Sequence, residues 1–314
     1  MSAIVVLAGG VGAARFLEGV VQVAPPATVT AIVNTGDDFA LHGLMIAPDL
    51  DIVTCTLADL IDREQGWGIA GDTTACMDWL GRLGGPTWFK LGDRDLALHI
   101  RRTALLRAGY RLSAVADAFR QALGVAVRIL PMSDDPAPTH ILTDAGELHF
   151  EEYLVRRRAQ DVVQGVRLHA AGPALPTAEV LAALAEARLV LIAPSNPVVS
   201  IGPILALPGV REALRACSAP VIAVSPIVGG AAIKGPAVPL MHAVAMEVSA
   251  LGIARAYSDI LDGIVIDTVD AGLAPAIAAL GLRVTVCDTI MRGPAEKAQL
   301  ARAALALGTA VLEG

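Results

Sequence analysis

The chain has 314 residues, 54% of them hydrophobic and 18% charged, with 30 glycines, 19 prolines and a formal net charge of −7. That length allows one large domain whose core needs no disulfide or metal staple, and the acidic balance excludes a sequence-independent grip on nucleic acid or anionic lipid. The most apolar stretch, 189–210, is interrupted by Ser195, Asn196 and four prolines, so no run reaches the length of a spanning helix and no membrane partner is expected.

Residues 1–7 carry no basic residue and run into a glycine loop and Arg15, which is not the layout of a secretory leader. Glycines 9, 10 and 12 follow a predicted strand at 3–8 and open a helix at 13–23. In chain order the hydrophobic periodicity then predicts a strand at 29–33, helices at 52–62 and 73–83, a strand at 87–91, helices at 95–108 and 113–123 and a strand at 125–130. Residues 139–155 alternate apolar and polar side chains, as in an antiparallel hairpin with Asp144 and Gly146 in its turn, and Arg156, Arg157 and Arg158 follow. A helix at 178–187, strands at 189–193 and 221–224, a helix at 238–251, strands at 264–267 and 283–287 and a helix at 295–307 complete the set. Alternating short apolar runs and helical patterns are the signature of parallel βαβ units. The expected fold is α/β: a doubly wound, mostly parallel Rossmann-like sheet with helices on both faces. Residues 1–314 are expected to form a single α/β catalytic domain, with 40–170 contributing a smaller helical and hairpin subdomain. Cys55, Cys76, Cys217 and Cys287 are far apart with no Cys-x-x-Cys pair, as expected of reduced thiols in a cytoplasmic protein.

Polar clusters recur directly after predicted strands, and in an open parallel sheet the carboxyl ends of all strands share one edge, where ligands bind. Gly9, Gly10 and Gly12 let backbone N–H groups close on a phosphate at the start of a helix; Arg15 stands where a dinucleotide fingerprint has its third glycine. The turn Asn34-Thr35-Gly36-Asp37-Asp38 and the stretch Pro48-Asp49-Leu50-Asp51 place two acidic pairs near that edge. Carboxylate oxygens and water suit Mg²⁺ bound with phosphates, although Asp51 also has the position of a helix N-cap. Arg94, in Gly92-Asp93-Arg94-Asp95, offers a bidentate fork to a phosphate or carboxylate, and His99 and Arg102 lie one and two turns further along the same helix. A proline-stiffened loop supplies Ser195, Asn196 and Ser200 as hydrogen-bonding groups for a nucleotide, and a second glycine-rich loop supplies Gly229, Gly230 and Lys234.

Taken together and in this order, these clusters resemble the 2-phospho-L-lactate transferase family of coenzyme F420 biosynthesis. Gly9-Gly10-Val11-Gly12, Asn34-Thr35-Gly36-Asp37-Asp38, Pro48-Asp49-Leu50-Asp51, Gly66-Trp67-Gly68, Leu91-Gly92-Asp93-Arg94-Asp95, Pro131-Met132-Ser133-Asp134-Asp135 and residues 193–205 carry the resemblance over nearly the whole chain. The resemblance implies Mg²⁺-dependent transfer of a 2-phospholactyl, phosphoenolpyruvyl or phosphoglyceryl group from a guanosine diphospho donor to the ribityl hydroxyl of the deazaflavin alcohol 7,8-didemethyl-8-hydroxy-5-deazariboflavin (Fo), with release of GMP. It implies Asp51 and Arg94 as catalytic residues beside the deazaflavin, Asp37 as a metal ligand joined by Asp51, and Gly9, Gly10, Gly12, Asn34, Ser195, Asn196, Ser200, Gly229 and Gly230 as the cradle of the donor. A homodimer is expected from the apolar composition.

The chain departs from the family at Ile52, where a threonine is usual, and at Cys55, where an aromatic is usual; both bear on the acceptor ring. Two other readings stay open at this point: a sugar-nucleotide-binding regulatory protein on the same scaffold, and a nicotinamide-dependent reductase suggested by Gly10-x-Gly12 alone. GDP is expected to raise the melting temperature and NAD(P) to leave it unchanged; the reverse in a thermal-shift assay would select the reductase.

Overall fold

Aliphatic runs with no polar side to turn toward water need a sheet covered on both faces. The computed structural model, which describes residues 4–313 apart from 170, 171 and 234, contains that sheet. Lys234 therefore lies outside the described residues. In chain order the elements begin with β1 (Ile4–Ala8), α1 (Gly10–Val23), β2 (Val29–Val33), β3 (Phe39–Leu41), β4 (Leu44–Ile46), α2 (Pro48–Leu57), α3 (Ala75–Arg82), α4 (Asp93–Arg107) and α5 (Leu112–Ala122). They continue with β5 (Arg128–Pro131), β6 (His140–Thr143), β7 (Gly146–His149), β8 (Val163–Arg167), α6 (Ala178–Ala185), β9 (Leu189–Ile192), α7 (Gly202–Leu205), α8 (Val210–Ala216) and β10 (Val221–Val224). The last are β11 (Ile227–Val228), β12 (Ala231–Ala232), α9 (Ala237–Ala243), α10 (Ala250–Ala256), β13 (Gly263–Asp267), α11 (Ala274–Ala278), β14 (Arg283–Cys287) and α12 (Pro294–Leu312).

Seven strands form one sheet in the order β14-β13-β10-β9-β1-β2-β5, and every pairing in it is parallel. The order reverses between β1 and β9: the chain winds outward from β1 through β2 to β5, then returns to β9 and winds the other way. That reversal opens a crevice beyond the ends of β1 and β9, the usual ligand site of such sheets. Two apolar layers cover the sheet. One gathers α1, α2 and α12 over Val6, Ala8, Ala31 and Leu191; the other gathers α6 to α10 over Val5, Leu7, Val190 and Ile264. This is the doubly wound, Rossmann-like α/β fold expected from the sequence. No helix among the described residues is long and apolar enough to cross a membrane, and all four cysteines are free.

Several elements differ from the sequence expectation. Residues 87–91 form no strand. Their aromatic and aliphatic side chains instead join a separate apolar cluster of Leu41, Ile46, Met77, Leu91 and Leu96, with Phe39, Trp88 and Phe89 packed against it. The place beside β2 is taken by β5. Pro48 starts α2 four residues before the expected 52, and Asp51 sits inside its first turn rather than at the cap, which is Ala47. The expected helix at 238–251 is two helices, interrupted at Ala245 with φ 55° and restarted by the Ser249 side chain, which accepts from Gly252 N. The predicted hairpin forms as β6 and β7, but a helical turn at Glu152–Arg156 replaces its end, and β8 adds a third strand on the other side of β6.

Helix α12 packs so closely on α1 that a Cβ at Gly19 would stand 2.1 Å from the Lys297 carbonyl oxygen, beside a partly buried Lys297–Glu18 ion pair of 2.5 Å. Gly19→Ala is expected to cost about 1–3 kcal/mol, read as a lower urea midpoint with unchanged slope; an unaltered midpoint would refute this close approach.

Candidate active site at the sheet switch point

The loops after β1 and β9 lock together at the switch point. A Cβ on Gly9 would fall 2.7 Å from Ser200 Cβ, and one on Gly12 would fall 2.4 Å from the Pro194 carbonyl oxygen, so both positions require glycine. The Ser195 hydroxyl donates to Gly9 O at 2.8 Å. Asn196 Oδ1 accepts from Val198 N and Val199 N, which folds the 195–201 loop on itself. Gly10 is left-handed at φ 70°, and its N–H, expected to meet a phosphate, donates to Asp49 Oδ1 at 2.8 Å. An internal carboxylate thus takes up the positive end of α1.

Asn34, at the end of β2, joins these loops to the acids. Its amide nitrogen lies 3.1 Å from Asp37 Oδ1, 2.9 Å from Asp49 Oδ2 and 3.2 Å from Val199 O, while its Oδ1 accepts from Gly36 N at 2.8 Å. Asp37, Asp38, Asp49 and Glu151 are all buried. Burial, and then the neighbouring carboxylates, hold Asp37 well above the usual carboxyl range. Burial does the same to Asp38, against a lowering pull from Arg102. Burial raises Asp49 to about 6, opposed by hydrogen bonds from Asn34 and Gly10, and burial and then Asp49 raise Glu151 to about 8. Both carboxylate oxygens of Asp38 are buried without a hydrogen-bond partner.

Asp51 lies beside this cluster and is paired with Arg102, whose Nη2 donates to Asp51 Oδ1. Arg102 is only 2% exposed; its Nη1 also donates to Met45 O at 3.2 Å and meets His99 Nδ1 at 3.1 Å. Burial, outweighing the nearby Asp51, lowers His99 to about 4, so it is neutral at pH 7. Cys55, the departure from the family pattern, is buried on the same helix as Asp51, and burial and then Asp51 push its thiol up to about 12.

The structure therefore brings Gly9, Gly10, Asn34, Asp37, Ser195 and Ser200 into one network, with Asp51 adjoining and Gly12 and Asn196 shaping the loops. Arg94 takes no part in that hydrogen-bond network: it is exposed at the start of α4, with Nη1 donating to Ala70 O at 3.0 Å and its backbone N–H held by Asp72. The cation that meets Asp51 is Arg102. Gly229 and Gly230, left-handed at φ 58° and 77°, make the β11–β12 turn, where Gly229 N donates to Asp270 rather than joining the Asn34 network. Spacing already put Asp95, His99 and Arg102 on one helical face, whereas Glu151 belongs to no motif and only the tertiary structure shows it. Among the described residues, no three His, Cys, Asp or Glu side chains stand ready-made as a metal-ligand set.

The reversed parallel sheet, with a glycine loop and buried acids at its switch point, defines a Rossmann-like α/β protein. The chain belongs to the 2-phospho-L-lactate transferase CofD family, whose sequence profile matches residues 4–292. It is 47% identical over 314 residues to a phosphoenolpyruvate transferase of Streptomyces griseus, with 98% of this chain and 99% of that one covered. It is 39% identical over 297 residues to a 2-phospho-L-lactate transferase of Methanosarcina mazei, with 95% and 97% covered. Among solved structures, a UPF0052-family protein of Bacillus halodurans shares the fold, with a TM-score of 0.63 at 17% identity over 97% of this chain and 98% of that one. Membership in a transferase family leaves the regulatory and reductase readings without support.

A buried carboxyl whose folded value is raised gives its full contribution to stability below its unfolded value, here 4.5 for Glu151, and loses it as pH climbs through about 8. In cation-free buffer, Glu151→Gln is therefore expected to match the parent's melting temperature near pH 4.5 and exceed it by several degrees at pH 8.5. Equal melting temperatures at both pH values would contradict the burial of this charge.

Proposed function

We propose that this enzyme transfers a phospho-acyl group from a guanosine diphospho donor to the ribityl hydroxyl of the deazaflavin alcohol Fo, in coenzyme F420 biosynthesis. In this reaction the hydroxyl oxygen bonds to the phosphorus next to the organic acid. The bond from that phosphorus to the bridging oxygen breaks, its electron pair leaves with GMP, and the hydroxyl proton passes to a base. Phosphoryl transfer of this kind needs positioning and charge neutralisation more than covalent chemistry. The enolpyruvyl donor is favoured over the lactyl and glyceryl forms by the names of the relatives at 43–48% identity, all phosphoenolpyruvate transferases, against 39–40% for the 2-phospho-L-lactate transferases.

The observation that carries the reading is the imbalance of charge at the switch point. Asp37, Asp38, Asp49 and Glu151 are buried around the Asn34 amide, and the Asp38 oxygens have no partner. Unpaired buried carboxylates are costly, and a hard divalent cation with its waters offsets them without a complete protein cage. The residues present fit Mg²⁺: Asp37 and Asp38 would hold it, with Asp51 at the margin. When bound, it would neutralise charge on the donor phosphates. The glycine loop with Gly9, Gly10 and Gly12, together with Ser195, Asn196 and Ser200, would hold the donor. Asp51 would orient the attacking hydroxyl and take its proton, Arg94 would meet an anionic group from the exposed side, and the Gly229-Gly230 turn would border the guanosine. A cytoplasmic homodimer completes the proposal.

Incubation with Fo, each candidate guanosine donor and Mg²⁺ is expected to yield a phosphodiester and GMP by mass spectrometry, fastest with the enolpyruvyl donor; no GMP release from any donor would sink the reading. Asp51→Asn is expected to lower kcat by at least about 100-fold, and turnover at the parent rate would remove Asp51 from the chemistry.

A further inference from the structure

Arg102 is a fully buried cation held by parts of the chain far apart in sequence. Its guanidinium reaches Asp51 on α2, Met45 O on β4 and His99 on its own helix, and it lies 5.6 Å from the centroid of Phe119 on α5. The Met45 peptide is gripped from α4 twice, because its N–H donates to Thr103 Oγ1 at 2.8 Å while its carbonyl accepts from Arg102. Met45 is three residues before Pro48, so the same contacts fix the chain where it enters α2 and set the place of Asp51.

The chemistry of the donors decides which oxygen of Asp51 is free. A guanidinium has no acceptor, so at their 3.1 Å contact His99 Nδ1 must accept from Arg102 Nη1. Neutral His99 then carries its proton on Nε2. Asp51 Oδ2, 3.5 Å from His99 Nδ1, faces a lone pair rather than a donor, and it is buried without a hydrogen-bond partner. Arg102 thus consumes Oδ1, and His99 holds Arg102 without consuming Oδ2.

We propose that Arg102, steadied by His99, is the positioning residue of the transfer: by holding Asp51 Oδ1 it fixes the orientation in which the Asp51 carboxylate is presented to the attacking hydroxyl. This rests on the group-transfer reading above and extends it to two residues outside the glycine and aspartate motifs. Arg102 acts through Asp51 and touches no reacting atom.

Two substitutions separate positioning from mere packing. Arg102→Lys keeps a cation but loses the planar fork that serves three partners at once. It is expected to stay folded, to bind GDP within about twofold of the parent, and to lose kcat by about 10–100-fold with little change in the KM for Fo, since a misplacement of about 1 Å costs on the order of 100-fold. His99→Asn, which keeps an acceptor near the position of Nδ1, is expected to retain most of the parent's kcat, whereas His99→Leu is expected to fall to the level of Arg102→Lys. In an Asp51→Asn background, Arg102→Lys should cost nothing more, because the carboxylate it positions is gone. Parent-level kcat in Arg102→Lys would overturn the proposal, as would a double variant whose losses multiply or a loss in His99→Asn equal to that in His99→Leu. Absence of turnover in the parent itself would instead sink the transfer reading, and this inference with it.

Discussion

One side-chain amide holds the site together. Asn34 has no exposed surface, and it donates toward two carboxylates and a carbonyl while accepting from the Gly36 backbone. Only an amide meets that demand. An aspartate there would set a third negative charge against Asp37 and Asp49, and an apolar residue would strip Asp37 of the amide donor and leave Asp49 with the Gly10 N–H alone in a dry interior. Because Asp49 also receives Gly10 N–H, the amide links the ends of β1, β2 and β9. The close approaches at Gly9 and Gly12 follow from the same junction, since the loops can be drawn this near only where no Cβ intervenes.

Around that junction negative charge is concentrated beyond what the protein neutralises. Each buried carboxyl is raised by desolvation first and, for Asp37, Asp38 and Glu151, by its acidic neighbours after that. Arg102 meets only the Asp51 side of the cluster directly. The fold tolerates such a site because two thick apolar layers on the sheet supply the stability that the polar edge gives up.

The departures at Ile52 and Cys55 acquire a position from α2. Cys55 is one turn beyond Asp51, buried, and close enough to Asp51, Asp95 and Arg102 to feel their charges. A thiol there is smaller than an aromatic ring, and it borders the carboxylate that Arg102 holds. Ile52 packs at the edge of the layer formed by α1, α2 and α12, which gives it a structural reason to be aliphatic.

The parallel sheet, its doubly wound covering and the polar edge were legible from residues alone, because runs such as Val5-Val6-Leu7 and Leu189-Val190-Leu191 can be satisfied only when buried on both faces and polar clusters follow them at their carboxyl ends. The placement of Asp37 and the glycine loop at that edge was legible for the same reason: local motifs mark the ends of buried strands. The partners were decided elsewhere. Periodicity reports how a segment is buried but not which distant segment buries it, so 87–91 looked like a strand although β5 already held the place beside β2. For the same reason Arg94, in the stronger motif, faces Ala70, while Arg102, on an ordinary helical face, is carried to Asp51 by the packing of α4 on β4. Glu151 enters the acid cluster, and Gly229 turns to Asp270, only because the chain folds back over more than 40 residues in each case. Charge and hydrogen-bond complementarity across such distances exists only once the tertiary structure has formed.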